Sequence, residues 1–305
     1  MLAADSFRVR ANPKNGVAEV RGFERHLERF RRSARETWCG VHRPGREELA
    51  MRNAALRALR AQHPGRSRSL LVFTPPQWSP EEQHAIDTID TFLERAREQI
   101  ADYGEGWPRL ELWLDSTAAQ PRLDLQLRPL PPLEETIELR TAGHVKVEHP
   151  EVKGPNLPRY AQLNAELGAE ALLLDPRGQV REGATTSLVW WPRAGESASA
   201  CDALGQYGGV AESRARVDSV TEHLLVAAGG HRLVGTKPHR RRIGQPQPRT
   251  AGPAQLMQHE VWAVNALHGI RVVTGLDGVP LPLPDERRLR WFRDALDRSW
   301  EPVLE

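Results

Sequence analysis

Lysine is almost absent from this 305-residue chain. Its 42 basic residues include only Lys14, Lys146, Lys153 and Lys237, and every other one is arginine. Cysteine is scarcer still. Cys39 and Cys201 are too few for a disulfide framework and stand at no metal-ligand spacing. No apolar run approaches the length that crosses a bilayer, and Met1 to Arg10 lacks the apolar core of a secretion signal. These absences predict a cytoplasmic protein with no membrane contact and no metal. A net charge of +2 gives no general attraction to nucleic acid. Walker and Rossmann glycine patterns are missing too, so nucleotide chemistry has no signal here. What remains, 39% apolar and 27% charged residues, suits a globular chain long enough for two domains.

The scarcity of lysine gives each one weight. A guanidinium stays protonated and cannot attack a carbonyl carbon, whereas an amine can form an imine with it. In a chain that writes arginine for plain positive charge, a lysine is a candidate for chemistry. Lys153 is the best placed. It precedes a Gly-Pro-Asn-Leu-Pro turn, at the end of a segment from Thr136 with strand-like stretches. A short helix and an apolar strand follow it. A Pro-Arg-Gly turn then leads to Glu182, which opens a Gly-Ala-Thr-Thr-Ser loop. The strand can fold back and set Glu182 beside Lys153. An amine and a carboxylate so paired are what pyridoxal phosphate requires: one holds the aldehyde, the other keeps the ring nitrogen protonated. Both residues read equally well as exposed charges at turn edges.

The rest of the chain divides at Pro129-Leu-Pro-Pro132, a stiff proline cluster between periodic segments. That predicts a smaller domain over 1–128 and a larger one over 133–305. In the first, Ser6 to Arg10 and the residues up to Val20 read as two strands around an Asn-Pro-Lys-Asn-Gly turn. Gly22 to Trp38 has helical spacing of Phe23, Leu27, Phe30, Ala34 and Trp38. A second helix is expected over 46–62 and a strand over 69–74. Ser79-Pro80 opens a long helix to Tyr103, and 110–115 and 122–127 alternate as an antiparallel pair. In the second, 193–214 is a loop rich in Gly, Ala and Ser. Ser219 and Glu222 form a capping box for the helix after them. The basic cluster from Lys237 to Arg242 has no interleaved aromatics and reads as solvated loop, not a nucleic-acid surface. Glu260 to Asn265 is a strand, and Leu289 to Leu304 a terminal helix on its own domain.

From Lys153 to Ser187 the chain resembles the class IV aminotransferases, the fold-type IV pyridoxal-phosphate enzymes. Their branches include branched-chain and D-amino-acid aminotransferases and aminodeoxychorismate lyase. The resemblance rests on Lys153, Asn156, the Ala171 to Asp175 strand and Glu182 to Ser187, in that order. It continues in His26-Leu-Glu-Arg-Phe30, in Ser219 to Thr221 and in Asn265 to Leu267. The helix after Leu157 is about one turn shorter than in the family, a deletion that keeps its inward face. The family's first strand pair is missing before Asp5, along with any site residue it would bring.

The resemblance implies an α/β fold of two domains with pyridoxal 5'-phosphate in the cleft between them, and a homodimer acting on a small amino substrate. It implies Lys153 as the Schiff-base lysine and proton carrier, and Glu182 as the partner of the ring nitrogen. Thr186 lies in the loop beside the cofactor. Arg29, Val220, Thr221, Ala266 and Leu267 would hold the phosphate, the last four in the anion-binding manner of backbone N–H groups. The family's arginine after Thr221 is replaced by Glu222, which is expected to turn outward as the capping residue. Transamination is the expected outcome. The alternatives are loss of pyruvate, as in aminodeoxychorismate lyase, and a non-catalytic relative that only binds.

Overall fold

The computed structural model describes residues 1–40, 79–114, 121–193, 206–213, 215–229 and 244–304. The helix expected over 46–62, the strand over 69–74, the Lys237 cluster and part of 193–214 lie outside them.

The N-terminal part contains strands β1 (Ala3–Ser6), β2 (Val9–Ala11) and β3 (Ala18–Arg21), then helix α1 (Phe23–Trp38). Phe23, Leu27, Phe30 and Ala34 form one buried stripe on α1. Against it lies the stripe Ile89, Leu93, Ala96 and Ile100 of helix α2 (Pro80–Tyr103). A full capping box starts α2: Ser79 Oγ accepts from the Glu82 N–H, and Glu82 accepts from the Ser79 N–H. Strands β4 (Arg109–Trp113) and β5 (Arg122–Gln126) pair antiparallel as expected, and β1 joins them in the order β1-β4-β5.

The single strand expected over Ser6 to Arg10 is instead broken in two. Phe7 is fully buried against Phe23 and His26, with ring centroids 5.4 and 5.1 Å apart. Burying that ring turns the chain, so β1 pairs with β4 and β2 with β3 in a different sheet.

The C-terminal part is built on a larger sheet. Its strands are β6 (Thr136–His144), β7 (Glu170–Leu174), β8 (Val180–Gly183), β9 (Ser187–Pro192), β10 (Gly209–Ala211), β11 (Gln247–Arg249), β12 (His259–Asn265) and β13 (Gly269–Leu276). They lie in the order β11-β10-β9-β12-β13-β6-β7-β8, with β14 (Val279–Pro280) on β13. Helices α3 (Leu157–Leu167), α4 (Val220–Ala228), α5 (Pro253–Leu256) and α6 (Glu286–Asp297) complete this part. The central strands are buried on both faces, which is why β7 and β9 read as continuous apolar runs. Leu188 and Trp190 face one core with Leu256 of α5. Val189 and Trp191, alternating with them, face the other with Leu225 of α4 and Phe292 of α6.

The terminal helix expected to Leu304 stops at Asp297. Trp300–Pro302 forms strand β15, which pairs with β3 of the N-terminal part. Pro302 cannot continue a helix. The Arg10 and Arg21 guanidinium groups lie over the Trp300 ring, 4.3 and 4.4 Å from its centroid.

Candidate active site

Three connections bring the marked residues together. β6 and β7 are parallel neighbours, so the chain must cross over between them through α3, and Lys153 sits in that crossover. β7 and β8 form an antiparallel hairpin that carries Glu182 opposite Leu173. The 184–186 loop then leads into β9. Gly154 lets the lysine segment lie against β1. The Ala4 N–H donates to the Lys153 carbonyl at 2.7 Å. At Gly154, with φ +133°, a Cβ would come within 2.7 Å of the Ala4 nitrogen.

Lys153, Glu182, Arg29, Thr186, Val220, Thr221, Ala266 and Leu267 all line one cavity of about 450 Å³. All eight residues marked in the sequence therefore meet, from both parts of the chain. Burial pushes the Lys153 amine down to about 8. Asp5 opposes that shift, while the charges of Arg29, Arg128 and Arg109 reinforce it. Burial pushes the Glu182 carboxyl up to about 8, against the opposing charges of Arg181 and Arg216. Glu182 Oε2 accepts from the Val217 N–H at 3.3 Å. Its Oε1 is buried without a hydrogen-bond partner among the described residues. Such an oxygen needs a donor, because a buried acceptor left unpaired is costly.

Arg29 is held by a network that the sequence did not show. Its Nε and Nη2 donate to the two Asp5 oxygens, each at 2.7 Å, and Nη1 donates to the Asp218 carbonyl at 2.6 Å. The guanidinium thus spans β1 and the residue just before the α4 cap. Burial raises the Asp5 carboxyl, but Arg29 and His26 overcome it and hold the group below the usual carboxylate range. Burial lowers His26 to about 4, so its ring is neutral near pH 7. Asp5 can only accept, so the contact at 2.9 Å places the proton on His26 Nδ1. Asp5→Ala would leave the Arg29 charge buried without its partner. A loss of about 3–5 kcal/mol in denaturant unfolding is expected, and an unchanged midpoint would contradict this account of the network.

At the N-terminus of α4, Ser219 Oγ accepts from the Glu222 N–H. The other half of the expected capping box is not formed. Glu222 is buried and takes both ends of the Arg216 fork, at 2.8 and 2.6 Å. Arg216, in the segment leading into the helix, neutralises an acid that would otherwise oppose an anion there. Val220 and Thr221 line the cavity at the start of α4, where first-turn N–H groups have no intrahelical acceptor. The Leu267 N–H donates to Asn265 Oδ1 at 3.1 Å, closing a turn on which Ala266 sits.

Glu170, unmarked in the sequence, organises the Glu182 loop. Its carboxylate accepts from the Thr185 N–H and Oγ1, from Thr186 Oγ1 and from Asn164 Nδ2. Tyr160 also lines the cavity, its hydroxyl accepting from Arg181 Nη2 at 3.2 Å. Burial raises that hydroxyl to about 12, keeping it protonated. Neither belongs to a local pattern; each is defined by partners on another element.

The fold is shared with solved aminotransferases. The branched-chain amino acid aminotransferase of T.th., complexed with N-(5'-phosphopyridoxyl)-L-glutamate, matches at TM-score 0.60 and 16% identity, over 99% of this chain and 89% of that one. The Escherichia coli branched-chain enzyme matches at 0.60 and 13%, over 99% and 90%. A putative 4-amino-4-deoxychorismate lyase from Legionella pneumophila matches at 0.54 and 13%, over 97% and 90%. No protein-family model and no curated protein matches the sequence. The chain has the fold-type IV architecture of these enzymes.

Proposed function

We propose that this protein is a pyridoxal-phosphate-dependent enzyme that transfers the amino group of a small amino substrate. The observation that carries the reading is the shared cavity of Lys153 and Glu182, each with its acid–base equilibrium moved to about 8. The cavity suits the cofactor. Glu182 Oε1 has no hydrogen bond among the described residues, only the Arg181 guanidinium at 3.6 Å, and a protonated ring nitrogen would supply one. Arg29 and the α4 N-terminus present N–H groups where a phosphate would be held. The neighbouring T.th. structures contain pyridoxamine 5'-phosphate or a phosphopyridoxyl adduct.

When bound, the cofactor supplies an electron sink for negative charge on the carbon bearing the substrate nitrogen. The chain's own groups do the rest. A Lys153 amine lowered to about 8 is neutral in a useful fraction near pH 7, so it can engage a carbonyl and then take and return a proton. Glu182 would hold a proton at the ring nitrogen, its charge kept in place by Val217 and Arg181. Arg29, Val220, Thr221 and Ala266 would fix the phosphate. Leu267, expected there too, has its N–H taken by Asn265 Oδ1 and would only line the site. Thr186 steadies the loop through Glu170. On the same reading the chain divides into domains over 1–128 and 133–305, with β15 returning to the first. The protein is a cytoplasmic homodimer.

The lyase neighbour supports a second outcome on the same residues, loss of pyruvate from the substrate. Product analysis separates them. Purified protein with cofactor is incubated with an amino-acid and keto-acid panel, and separately with aminodeoxychorismate. New amino acid and keto acid in equal amounts mark transamination. Aromatic amine with pyruvate marks the lyase. Cofactor bound without turnover of any substrate marks a binding-only relative.

A further inference from the structure

We propose that Glu222 is a positioning residue: it holds the Arg216 guanidinium away from Glu182, so that the free oxygen of Glu182 stays open to the ring nitrogen of the cofactor. The inference rests on the reading above for the identity of the group that Glu182 serves. Its evidence lies outside the cavity lining, of which neither Arg216 nor Glu222 is part.

Arg216 is within reach of two buried carboxylates. The Val217 N–H donates to Glu182 Oε2 at 3.3 Å. One peptide link back, the Arg216 Cα therefore lies within about 6 Å of that oxygen, a distance that an extended arginine side chain spans. The guanidinium goes instead to Glu222, donating from Nη1 and Nη2 to its two oxygens at 2.8 and 2.6 Å. Glu182 is left with the Arg181 Nε at 3.6 Å, beyond hydrogen-bond distance, and its Oε1 is buried with no hydrogen bond among the described residues. A fork on a carboxylate is among the strong charge-assisted contacts. With Glu222 gone, the half-buried fork needs another carboxylate, and Glu182 is the buried one within reach. Asp218, another acid that acts on Arg216, is exposed and pairs with Arg32 at 3.1 Å.

Local sequence does not force Glu222 into this pair. Three residues after the Ser219 cap, it could reach back to the Ser219 N–H as an exposed acid. Only the Ser219 half of that box forms, its Oγ accepting from the Glu222 N–H, while the Glu222 carboxylate is buried on Arg216. The helix forgoes one capping bond for a side chain six residues back. The groups that face Glu182 are Arg181 on β8, Tyr160 on α3, Arg216 and the Val217 N–H before α4, and Glu222 on α4. Burial dominates the Glu182 shift. Among the charges, Arg181 and Arg216 lower it and Glu222 raises it, so the two members of the pair oppose one another there.

The test compares wild type, Glu222→Gln, Glu222→Asp and the double variant Arg216→Met/Glu222→Gln. In cofactor-free protein labelled with carbon-13 at the glutamate δ-carbons, the Glu182 signal is the one lost in Glu182→Gln. Glu222→Gln should lower the pH at which that signal titrates, from about 8, by at least about 1 pH unit, the scale of a cation in direct contact. Loss of Glu222 as a separate charge alone would give a smaller change. With cofactor added, absorbance titration should show Glu222→Gln binding pyridoxal phosphate at least about tenfold more weakly. The double variant lacks both the holder and the group held, and both values should return close to those of wild type. Glu222→Asp keeps the charge on a shorter stem and should lower the titration by less; it carries the comparison if Glu222→Gln does not fold. Tighter cofactor binding in Glu222→Gln would show Arg216 turning to the phosphate and would overturn the inference. So would an unchanged Glu182 titration in the single variants, or a double variant that binds as weakly as Glu222→Gln. A wild type that takes no cofactor would sink the catalytic reading, while the cofactor-free titration would still report on Glu222.

Discussion

Lys153→Ala should abolish turnover, with a loss of at least about 10³-fold in kcat, because in the proposed reaction one side chain performs two tasks. It engages the carbonyl carbon, and it carries the proton at the reacting carbon; positioned proton transfer alone contributes about 10²–10⁴-fold. Lys153→Arg should be equally inactive, since a guanidinium keeps its proton and cannot do either. That pair of variants separates charge from chemistry. If Arg restored activity, Lys153 would be supplying only a positive charge. The Ala variant should still fold, because the buried amine is itself held away from its preferred charged state, and circular dichroism of the Arg variant checks that its bulkier fixed charge is accommodated. Near-wild-type circular dichroism beside lost turnover is the expected combination, and retained turnover in the Ala variant would remove Lys153 from the mechanism.

Glu182→Gln should move activity and stability in opposite directions. Gln keeps the shape but cannot hold the ring nitrogen in its protonated state, so kcat should fall by about 10²–10³-fold, the scale of losing one preorganised electrostatic group. In the cofactor-free protein the same change removes a buried carboxylate whose pKa is raised from 4.5 to about 8. A raised folded-state value means that the folded protein binds this proton more tightly than the unfolded chain. Its contribution is full below pH 4.5 and is lost as pH rises through about 8. Lys153, lowered from 10.5 to about 8, works the other way: its penalty is full below pH 8 and is relieved as pH rises through 10.5. From pH 5 to 8 the Glu182 share alone falls by a few kcal/mol at about 1.4 kcal/mol per unit. His26 and His268, lowered by burial from 6.5 to about 4, gain stability up to pH 6.5, so the net fall of the cofactor-free wild type should appear between pH 6.5 and 8. Glu182→Gln should flatten that fall. Urea midpoints across the range check it, and a slope shared by wild type and variant would contradict the assignment.

The sequence made the meeting of Lys153 and Glu182 legible because the segment between them is one crossover and one hairpin. Its turns, helix and apolar strand are local signals, and local signals determined which residues meet. The α2 capping box and the β4–β5 pair were legible for the same reason. Asp5, His26 and Arg29 were not legible as a unit: the His26 to Phe30 pattern selected Arg29 among its neighbouring arginines, but its partner Asp5 lies on another strand. Glu222 was misread outright. A capping-box spacing predicts an exposed acid, and the half-buried partner that reverses it, Arg216, lies before the helix. Phe7 made the same kind of difference, breaking one expected strand into two by being buried. In each case a long-range contact outweighed a correct local preference.

Borohydride reduction of the cofactor-saturated protein, followed by peptide mapping, addresses the central assignment most directly. The scarcity of lysine makes the result easy to read, because among the side chains only Lys14, Lys146, Lys153 and Lys237 can carry a reduced pyridoxyl label. The expected result is bleaching of the visible absorbance with the label on Lys153 alone. A label on any of the other three, or a protein that takes up no cofactor, would contradict it.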